Sequence, residues 1–162
     1  MTQPSEDFSI RTLEDPPAQL RNLEKQAVAE GFRFLTRLIT EWENRTNRFD
    51  QPGECLVGVF RQGQLMGVGG LSRDPYAGPQ IGRLRRVYVD PAMRERRIGR
   101  DLVSYLLEYA AKQFQAVRLS TDSPSAMKFY LRCGFHPVSD DTATHAKSLI
   151  TSIGNDPETA CR

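Results

Sequence analysis

Cysteine is scarce in this chain, with three among 162 residues. Cys55, Cys133 and Cys161 lie far apart, are odd in number and show no C-x-x-C spacing. Disulfide-stabilised domains need paired cysteines and zinc sites need closely spaced ones, so this usage argues against both. We therefore expect a protein of the reducing cytoplasm that holds no metal.

Long apolar runs are also missing. No stretch approaches the roughly 18 consecutive apolar residues that a membrane-spanning helix needs, so we expect no membrane partner. Residues 1–7 are polar and acidic, whereas a signal peptide has a basic segment followed by an apolar one. The length predicts one domain, which we place at residues 1–150, followed by a polar tail at 151–162.

The net charge is small, at +2, which is too weak by itself to indicate nucleic-acid binding. We therefore expect no nucleic-acid partner. The basic charge is nevertheless concentrated, because seven arginines lie within 18 residues: Arg83, Arg85, Arg86, Arg94, Arg96, Arg97 and Arg100. Such a local cluster indicates an anionic ligand.

These arginines flank or connect a predicted strand and a predicted helix. Residues 84–89 (LRRVYV) alternate at first and then become rich in β-formers, which predicts a strand that Pro91 ends. From Ile98 onward the spacing is helical, and Leu102 and Leu106 share one face. The first turn of a helix has N–H groups without intrahelical partners and the positive end of the macrodipole, so it attracts phosphate. A solvated basic turn explains the arginines alone equally well, and the flanking elements favour the phosphate site.

The rest of the chain alternates between the two kinds of element. Ser123 followed by Pro124 predicts the start of a short helix, because serine caps helix N-termini and proline is tolerated in the first turn. Gly134 ends that helix. The remaining patterns predict strands at 8–13, 116–120 and 143–150, a strand from residue 135, two helices within 15–43 and a hairpin at 55–71.

Two segments resemble the GCN5-related N-acetyltransferase (GNAT) family. The first is similar to its acetyl-CoA-binding motif, [QR]-x-x-G-x-[GA], with Arg94 at the first position and Gly99 at the last. Arg97 stands where the family usually has glycine, which leaves open whether CoA binding is weakened. The second, at residues 123–135, is similar to N-x-x-A-x-x-[FL]-Y-x-x-x-G-F, with Ser123 in place of asparagine. The two segments occur in order, about 30 residues apart.

The resemblance implies a fold of the α/β class, α+β type: one domain whose mixed, mostly antiparallel sheet of about six to seven strands is flanked by about four helices. It implies transfer of an acetyl group from acetyl-CoA, a co-substrate, to a primary amine of a small molecule or peptide. In the family the strand with the V-x-V segment bulges, and its amides meet the pantetheine arm. The cofactor-binding residues implied are Val87, Tyr88, Val89, Arg94, Glu95, Arg96, Arg97, Ile98, Gly99, Arg100, Ser123, Ala126, Phe129 and Tyr130.

The resemblance makes Tyr130 the general acid. The ordinary pKa of tyrosine is near 10 and that of a thiol near 8.5, so a positioned hydroxyl can protonate a departing thiolate. A core aromatic whose hydroxyl meets the backbone is the alternative.

The general base stays open, because no acidic residue lies between Asp74 and Asp90, where many family members carry a glutamate. Glu41, Glu54, Asp122 or an ordered water are alternatives, but each acid fits a solvated surface charge better, and we assign none. His145 has a suitable ordinary pKa, although a lone strand histidine is more often structural.

Two expectations concern partners. The arginines ahead of Val87 either serve the cofactor or face the acceptor, in which case they favour an acidic or carboxylate-bearing amine. A homodimer is the base-rate expectation for assembly. The missing glutamate and Arg97 leave one alternative function, a module that binds acetyl-CoA or CoA without turnover.

Overall fold

The computed structural model describes residues 8–94 and 96–150, and within them the chain forms seven strands and four helices. The strands are β1 (Phe8–Thr12), β2 (Cys55–Arg61), β3 (Gln64–Arg73), β4 (Ile81–Val89), β5 (Ala116–Leu119), β6 (His136–Asp140) and β7 (Ala143–Ser148). The helices are α1 (Leu20–Ala29), α2 (Phe34–Glu43), α3 (Ile98–Ala110) and α4 (Pro124–Arg132). The predicted tail at 151–162 and the predicted cofactor contact Glu95 lie outside the described residues.

The seven strands form one sheet in the order β1-β2-β3-β4-β5-β7-β6. Neighbouring strands are antiparallel except β4 and β5, which are parallel because α3 carries the chain from one to the other. The predicted mixed, mostly antiparallel sheet with about four helices is therefore confirmed.

The sheet separates two apolar cores. On one face α3 packs through Leu102 and Leu106, which are fully buried together with residues of β2 to β5. On the other face α1 and α2 pack through Leu23 and Leu38. Val28 of α1 lies at the margin of this face and is 38% exposed.

Local turn chemistry sets the hairpin of β2 and β3. Gln62 and Gly63 both have positive φ, 52° and 81°, as a two-residue hairpin turn requires. The strands extend beyond the predicted segments: β3 continues to Arg73, and β4 begins at Ile81. The start of β4 is extended by its pairing with β5, where Arg83 lies opposite Arg118. In the sequence, the charge of Arg83 interrupts the apolar pattern that predicts a strand.

Candidate active site

A cleft opens in the sheet where β4 and β5 separate. The two strands pair only at Ile81 with Ala116, Gly82 with Val117 and Arg83 with Arg118. From residue 84 onward, β4 pairs with β3 but not with β5. The edge of β4 that faces β5 is therefore open along residues 84–89, beside the N-terminal turn of α3.

The open part of β4 contains a bulge. Val68 of β3 pairs with Tyr88 and Gly70 pairs with Arg85, so one residue of β3 lies opposite two of β4. Arg86, in the bulge, has a left-handed backbone with φ of 61°. Because the bulge interrupts the alternation of side chains, Arg86 and the preceding Arg85 both reach toward α2.

The bulge is held by an ion pair across the sheet face. Nη2 of Arg86 lies 3.0 Å from Oε1 of Glu41 on α2, and the arginine side chain is 7% exposed. Its Nε is buried without a hydrogen-bond partner in the described part of the chain. A buried unpaired donor such as this Nε costs roughly 1–3 kcal/mol. The ion pair that Nη2 forms with Glu41 offsets part of the cost of burying the guanidinium.

The predicted phosphate loop leads into α3 through a left-handed residue. Arg97 has φ of 66° and ψ of 2°, a conformation that favours glycine. The first backbone hydrogen bond of the helix runs from the N–H of Asp101 to the C=O of Arg97 at 2.9 Å, so the amides of residues 98–100 have no intrahelical partner. At the position where the family motif usually has glycine, Arg97 thus has a backbone conformation that favours glycine.

We expect Arg97→Gly to keep CoA binding and Arg97→Pro to lose it. Glycine adopts this conformation without steric strain, whereas proline fixes φ near −65°. Calorimetric titration with CoA should show a dissociation constant within about tenfold of wild type for the glycine variant, since at most one charge-assisted contact of the side chain is lost.

Arg96→Ala is the matched control for removing one positive charge from the loop. Circular dichroism should first establish that all three variants are folded. A folded Arg97→Pro protein with wild-type affinity for CoA would contradict the role of the loop backbone.

Gly99 brings α3 close to α4. A Cβ at this position would lie 3.2 Å from two carbons of the Phe129 ring and 3.8 Å from Cγ2 of Val89. Three of the predicted cofactor residues, from α3, α4 and β4, therefore meet at one point. Val87 packs against the same apolar core.

Two side chains of the predicted set, those of Arg94 and Tyr88, point away from the cleft. Arg94 forms a bidentate pair with Glu30 at the end of α1, with both N···O distances 2.8 Å, and its Nε donates to the C=O of Val89 at 3.1 Å. The hydroxyl of Tyr88 donates to the same Glu30 at 2.5 Å. Arg94 thus fastens the loop to α1 and β4 instead of directing its guanidinium at the cleft.

We expect Glu30→Gln to weaken CoA binding about fivefold, because a partly exposed ion pair contributes up to about 1 kcal/mol to holding the loop. The Arg94 guanidinium lowers the pKa of Glu30, against the effect of burial and with help from the Tyr88 hydroxyl, so the carboxylate is charged at neutral pH. CoA titration measures the effect. Glu43→Gln, which removes an exposed pair with Arg21, is the control and should leave binding unchanged.

Helix α4 begins as the sequence predicts. Oγ of Ser123 accepts a hydrogen bond from the N–H of Ala126 at 3.3 Å, Pro124 follows in the first turn, and Gly134 ends the helix with φ of 98°. Serine therefore performs the capping that we expected of this position. Of the three predicted cofactor residues on α4, Tyr130 is buried, and Ala126 and Phe129 are half-buried.

Tyr130 lies among aromatic rings. Its ring meets those of Phe129 and Phe135 edge-on, with centroids 5.1 Å and 5.6 Å away. Burial, and to a lesser extent the nearby Cys133 thiol, raise the pKa of Tyr130 above its ordinary value. Its hydroxyl forms no hydrogen bond with the residues that the structure describes, so the backbone-bonded alternative finds no support there.

The acids considered as bases are in different places. Glu41 and Glu54 line one cavity on the α2 side of β4. Asp122 is exposed just before α4. His145 is buried in β7, where its Nδ1 lies 2.8 Å from Oγ1 of Thr144, so a structural role fits it best.

Asp74 is a residue that sequence reasoning passed over. Its carboxylate is fully buried and accepts hydrogen bonds from Arg83, Arg118 and the N–H groups of Tyr76 and Ala77. Arg83 and Arg118 are the last paired residues before β4 and β5 separate. The cluster therefore lies at the apex of the cleft, the end at which the two strands meet, and closes it. Its members lie up to 44 residues apart, and no local pattern links them.

Within the described residues, no helix is long and apolar enough to cross a membrane. Likewise, no group of three or more metal-ligating side chains occurs in residues 8–94 and 96–150.

The chain is similar to proteins with known structures. It aligns with a protein from Exiguobacterium sp. 255-15 over 88% of this chain and 93% of that one, with 24% identity and a TM-score of 0.79. An aminoglycoside 6'-N-acetyltransferase complexed with coenzyme A aligns over 88% of this chain and 98% of that one, with 18% identity and a TM-score of 0.67. At these identities the likeness shows the fold.

Sequence comparison gives shorter matches. The chain is 33% identical over 87 residues to the N-alpha-acetyltransferase RimI of Mycobacterium tuberculosis, which is 54% of this chain and 55% of that protein. It is 31% identical over 84 residues to an uncharacterized protein of Mycobacterium leprae, covering 52% of this chain and 23% of that protein. The matches thus span about half or less of these relatives.

A family model, that of the acetyltransferase (GNAT) family, matches residues 18–135. This range includes the bulged strand β4, the loop before α3 and the whole of α4. The fold, the two sequence segments and this match agree: the chain belongs to the GNAT family of acetyltransferases.

Proposed function

We propose that this protein is an N-acetyltransferase that moves an acetyl group from acetyl-CoA to a primary amine of a small molecule or peptide by direct transfer. One observation carries the proposal: β4 separates from β5 beside the amide-lined start of α3, with Tyr130 of α4 packed nearby. Family membership and the CoA-bound relative of the same fold support it.

The residues of the cleft fit acetyl-CoA by their donor chemistry. The amides of residues 98–100, with the arginine side chains at 96, 97 and 100, suit a diphosphate. Val87 and Val89 offer the open edge of β4 to the pantetheine arm, and Ser123, Ala126 and Phe129 form the opposite wall on α4. Tyr88 contributes its backbone, because its side chain faces α1.

When bound, acetyl-CoA supplies the acyl group: the amine nitrogen forms the new N–C bond, the C–S bond breaks and the sulfur leaves as thiolate. Tyr130 holds a proton at Oη, and burial keeps it there by raising its pKa. We assign Tyr130 the role of general acid toward the sulfur. Of the three acids considered as bases, Glu41 contacts the bulge through Arg86, so we propose that it receives the proton of the amine.

The ion pair of Glu41 with Arg86 also favours a second candidate function. The hydrogen bond from Arg86 already occupies Oε1 of Glu41, which a module that binds CoA without turnover would tolerate. Both candidate functions require that the protein binds CoA, but only the acetyltransferase converts an amine to its acetylated product.

A thiol-release assay with acetyl-CoA over a panel of amines, together with calorimetric titration of CoA, tests the proposal. We expect CoA binding and, for at least one amine, equal amounts of free thiol and acetylated product by mass spectrometry. Binding without turnover on any amine would favour the module. Absence of CoA binding would reject both.

A further inference from the structure

A polar cavity of about 450 Å³ lies on the α2 side of β4. Its walls come from the end of α2, the loop at residues 45–54, the end of β3 and the middle of β4. This volume lies within the range of about 300–1,000 Å³ that small-molecule sites occupy. We call it the arginine cavity, because four arginines line it: Arg45, Arg48, Arg73 and Arg85.

None of these four arginines has a carboxylate partner among the described residues. Arg48 donates from Nε to the C=O of Trp42 at 2.9 Å. The guanidinium groups of Arg45, Arg73 and Arg85 form neither an ion pair nor a hydrogen bond with any residue of the described ranges. They come from the loop after α2, from β3 and from β4, so the fold brings together three charges that the sequence separates by up to 40 positions.

The carboxylates of the cavity already have partners. Glu41 holds Arg86 at 3.0 Å. Glu54 accepts from the backbone N–H of Gln51 at 3.2 Å and of Arg73 at 2.9 Å, which fixes the loop. Asp50 accepts from the side chain of Gln51. With Arg86 included, five arginines face three carboxylates, so the cavity has an excess of positive charge.

The arginine cavity reaches the bulge of β4. Arg85 lines it and immediately precedes the bulged Arg86, and Glu41 both lines it and holds Arg86. An amine at this end of the cavity would therefore be next to the open strand edge that we assign to the cofactor's thioester.

We infer that the arginine cavity is the acceptor site and that it selects primary amines carrying an anionic group, a carboxylate or a phosphate. This inference rests on the proposed function. The anionic group meets the guanidinium of Arg85, assisted by Arg73 and Arg45, because arginine binds both kinds of oxyanion through paired N–H donors. The amine then points toward Glu41 and the bulge.

Matched pairs of amines test the inference. β-Alanine is compared with its amide, and phosphoethanolamine with ethanolamine, so that each pair differs in one anionic group and the two pairs separate carboxylate from phosphate. We expect the anionic member of at least one pair to have a kcat/KM about tenfold or more above its neutral partner, through KM, since one charge-assisted contact distinguishes them. Calorimetric titration of the same amines into the protein saturated with CoA gives a readout that needs no turnover.

Three variants test whether Arg85 causes the preference for anionic amines. Arg85→Gln should reduce the preference to within about threefold, and Arg85→Lys should restore part of it, because a point charge remains. Both are expected to fold, since the Arg85 side chain bonds to no described residue. Arg33→Ala removes an equal charge from the other end of α2 and should change neither KM nor binding.

The outcomes separate the two proposals. Turnover with equal kcat/KM within both pairs, or a preference that survives Arg85→Gln, would overturn the inference and leave the acetyltransferase proposal standing. Absence of turnover on every amine would reject the proposed function, and the calorimetric preference alone would then decide whether the cavity binds anionic amines.

Discussion

Replacement of Tyr130 by phenylalanine is expected to lower kcat about 100-fold or more, because a positioned general acid contributes roughly 10² to 10⁴ to a rate. The phenylalanine ring keeps the edge-on contacts with Phe129 and Phe135. The lost hydroxyl has no hydrogen-bond partner among the described residues, so we expect little change in the free energy of unfolding. The affinity for CoA should also stay close to that of wild type.

Steady-state kinetics on the best amine, with CoA calorimetry and urea denaturation in parallel, measures the three effects separately. Tyr109→Phe is the matched control, because Tyr109 lies near the C-terminal end of α3, roughly 15 Å along the helix from Gly99. A Tyr130→Phe enzyme that retains kcat within about threefold would remove Tyr130 from the proton transfer, since general-acid catalysis predicts a far larger loss.

The raised pKa of Tyr130 adds a pH test. Since burial keeps the phenol protonated above the ordinary tyrosine pKa, the wild-type rate should not fall from loss of this proton at pH values up to about 10. A decline well below that value, absent in Tyr130→Phe, would contradict the burial that the structure shows.

Asp74→Asn is expected to destabilise the protein by about 3 kcal/mol, at the lower end of the range for breaking a buried ion pair. The Asp74 side chain is 0% exposed, and Arg83 and Arg118 beside it are 12% and 13% exposed. Asparagine leaves these two guanidinium groups close together without their shared counter-charge. The loss is limited because Asp140 still faces Arg118 at 3.4 Å. Urea denaturation measures the difference.

The pH dependence gives the sign of the Asp74 contribution. Burial alone would raise the pKa of Asp74, but hydrogen bonds from Tyr76, Arg118 and Arg83 outweigh it and lower the pKa. A carboxyl group whose pKa is lower in the folded state stabilises the fold at pH values above its pKa in the unfolded chain. This stabilisation is lost as the pH falls through its pKa in the folded state. The difference between wild type and Asp74→Asn should therefore be constant above about pH 5 and shrink in acid.

Asp140→Asn serves as the control for Asp74, because it removes a carboxylate from the exposed side of the same cluster. We expect little change in unfolding free energy for it, as for exposed pairs generally. Equal destabilisation by the two substitutions would show that burial is not what gives Asp74 its importance.

Much of the cofactor side of the site follows from short-range sequence signals. Ser123, Pro124 and Gly134 set the limits of α4 through contacts within a few residues, and the structure confirms each. Arg97, the departure from the family motif, lies where the backbone is left-handed, a conformation that favours glycine. The family was recognisable for the same reason, since both segments are local.

The anchoring of the loop and the arginine cavity depend on contacts between residues far apart in the chain. Glu30 and Arg94 are 64 positions apart, and Glu41 and Arg86 are 45 apart, so no periodicity or spacing in the sequence pairs them. The sequence alone left the arginines ahead of Val87 as one cluster. The structure separates them: Arg83 closes the apex with Asp74, Arg85 lines the cavity, and Arg86 is held by Glu41.

By itself, then, the sequence determined the kinds of element, the cap of α4 and the turn that leads into α3, because contacts between near neighbours decide these features. Only the tertiary structure decided where each arginine points. A single bulge in β4 shifts the alternation of side chains by one residue, and that shift, which depends on pairing with β3, places Arg85 and Arg86 on the same side of the sheet.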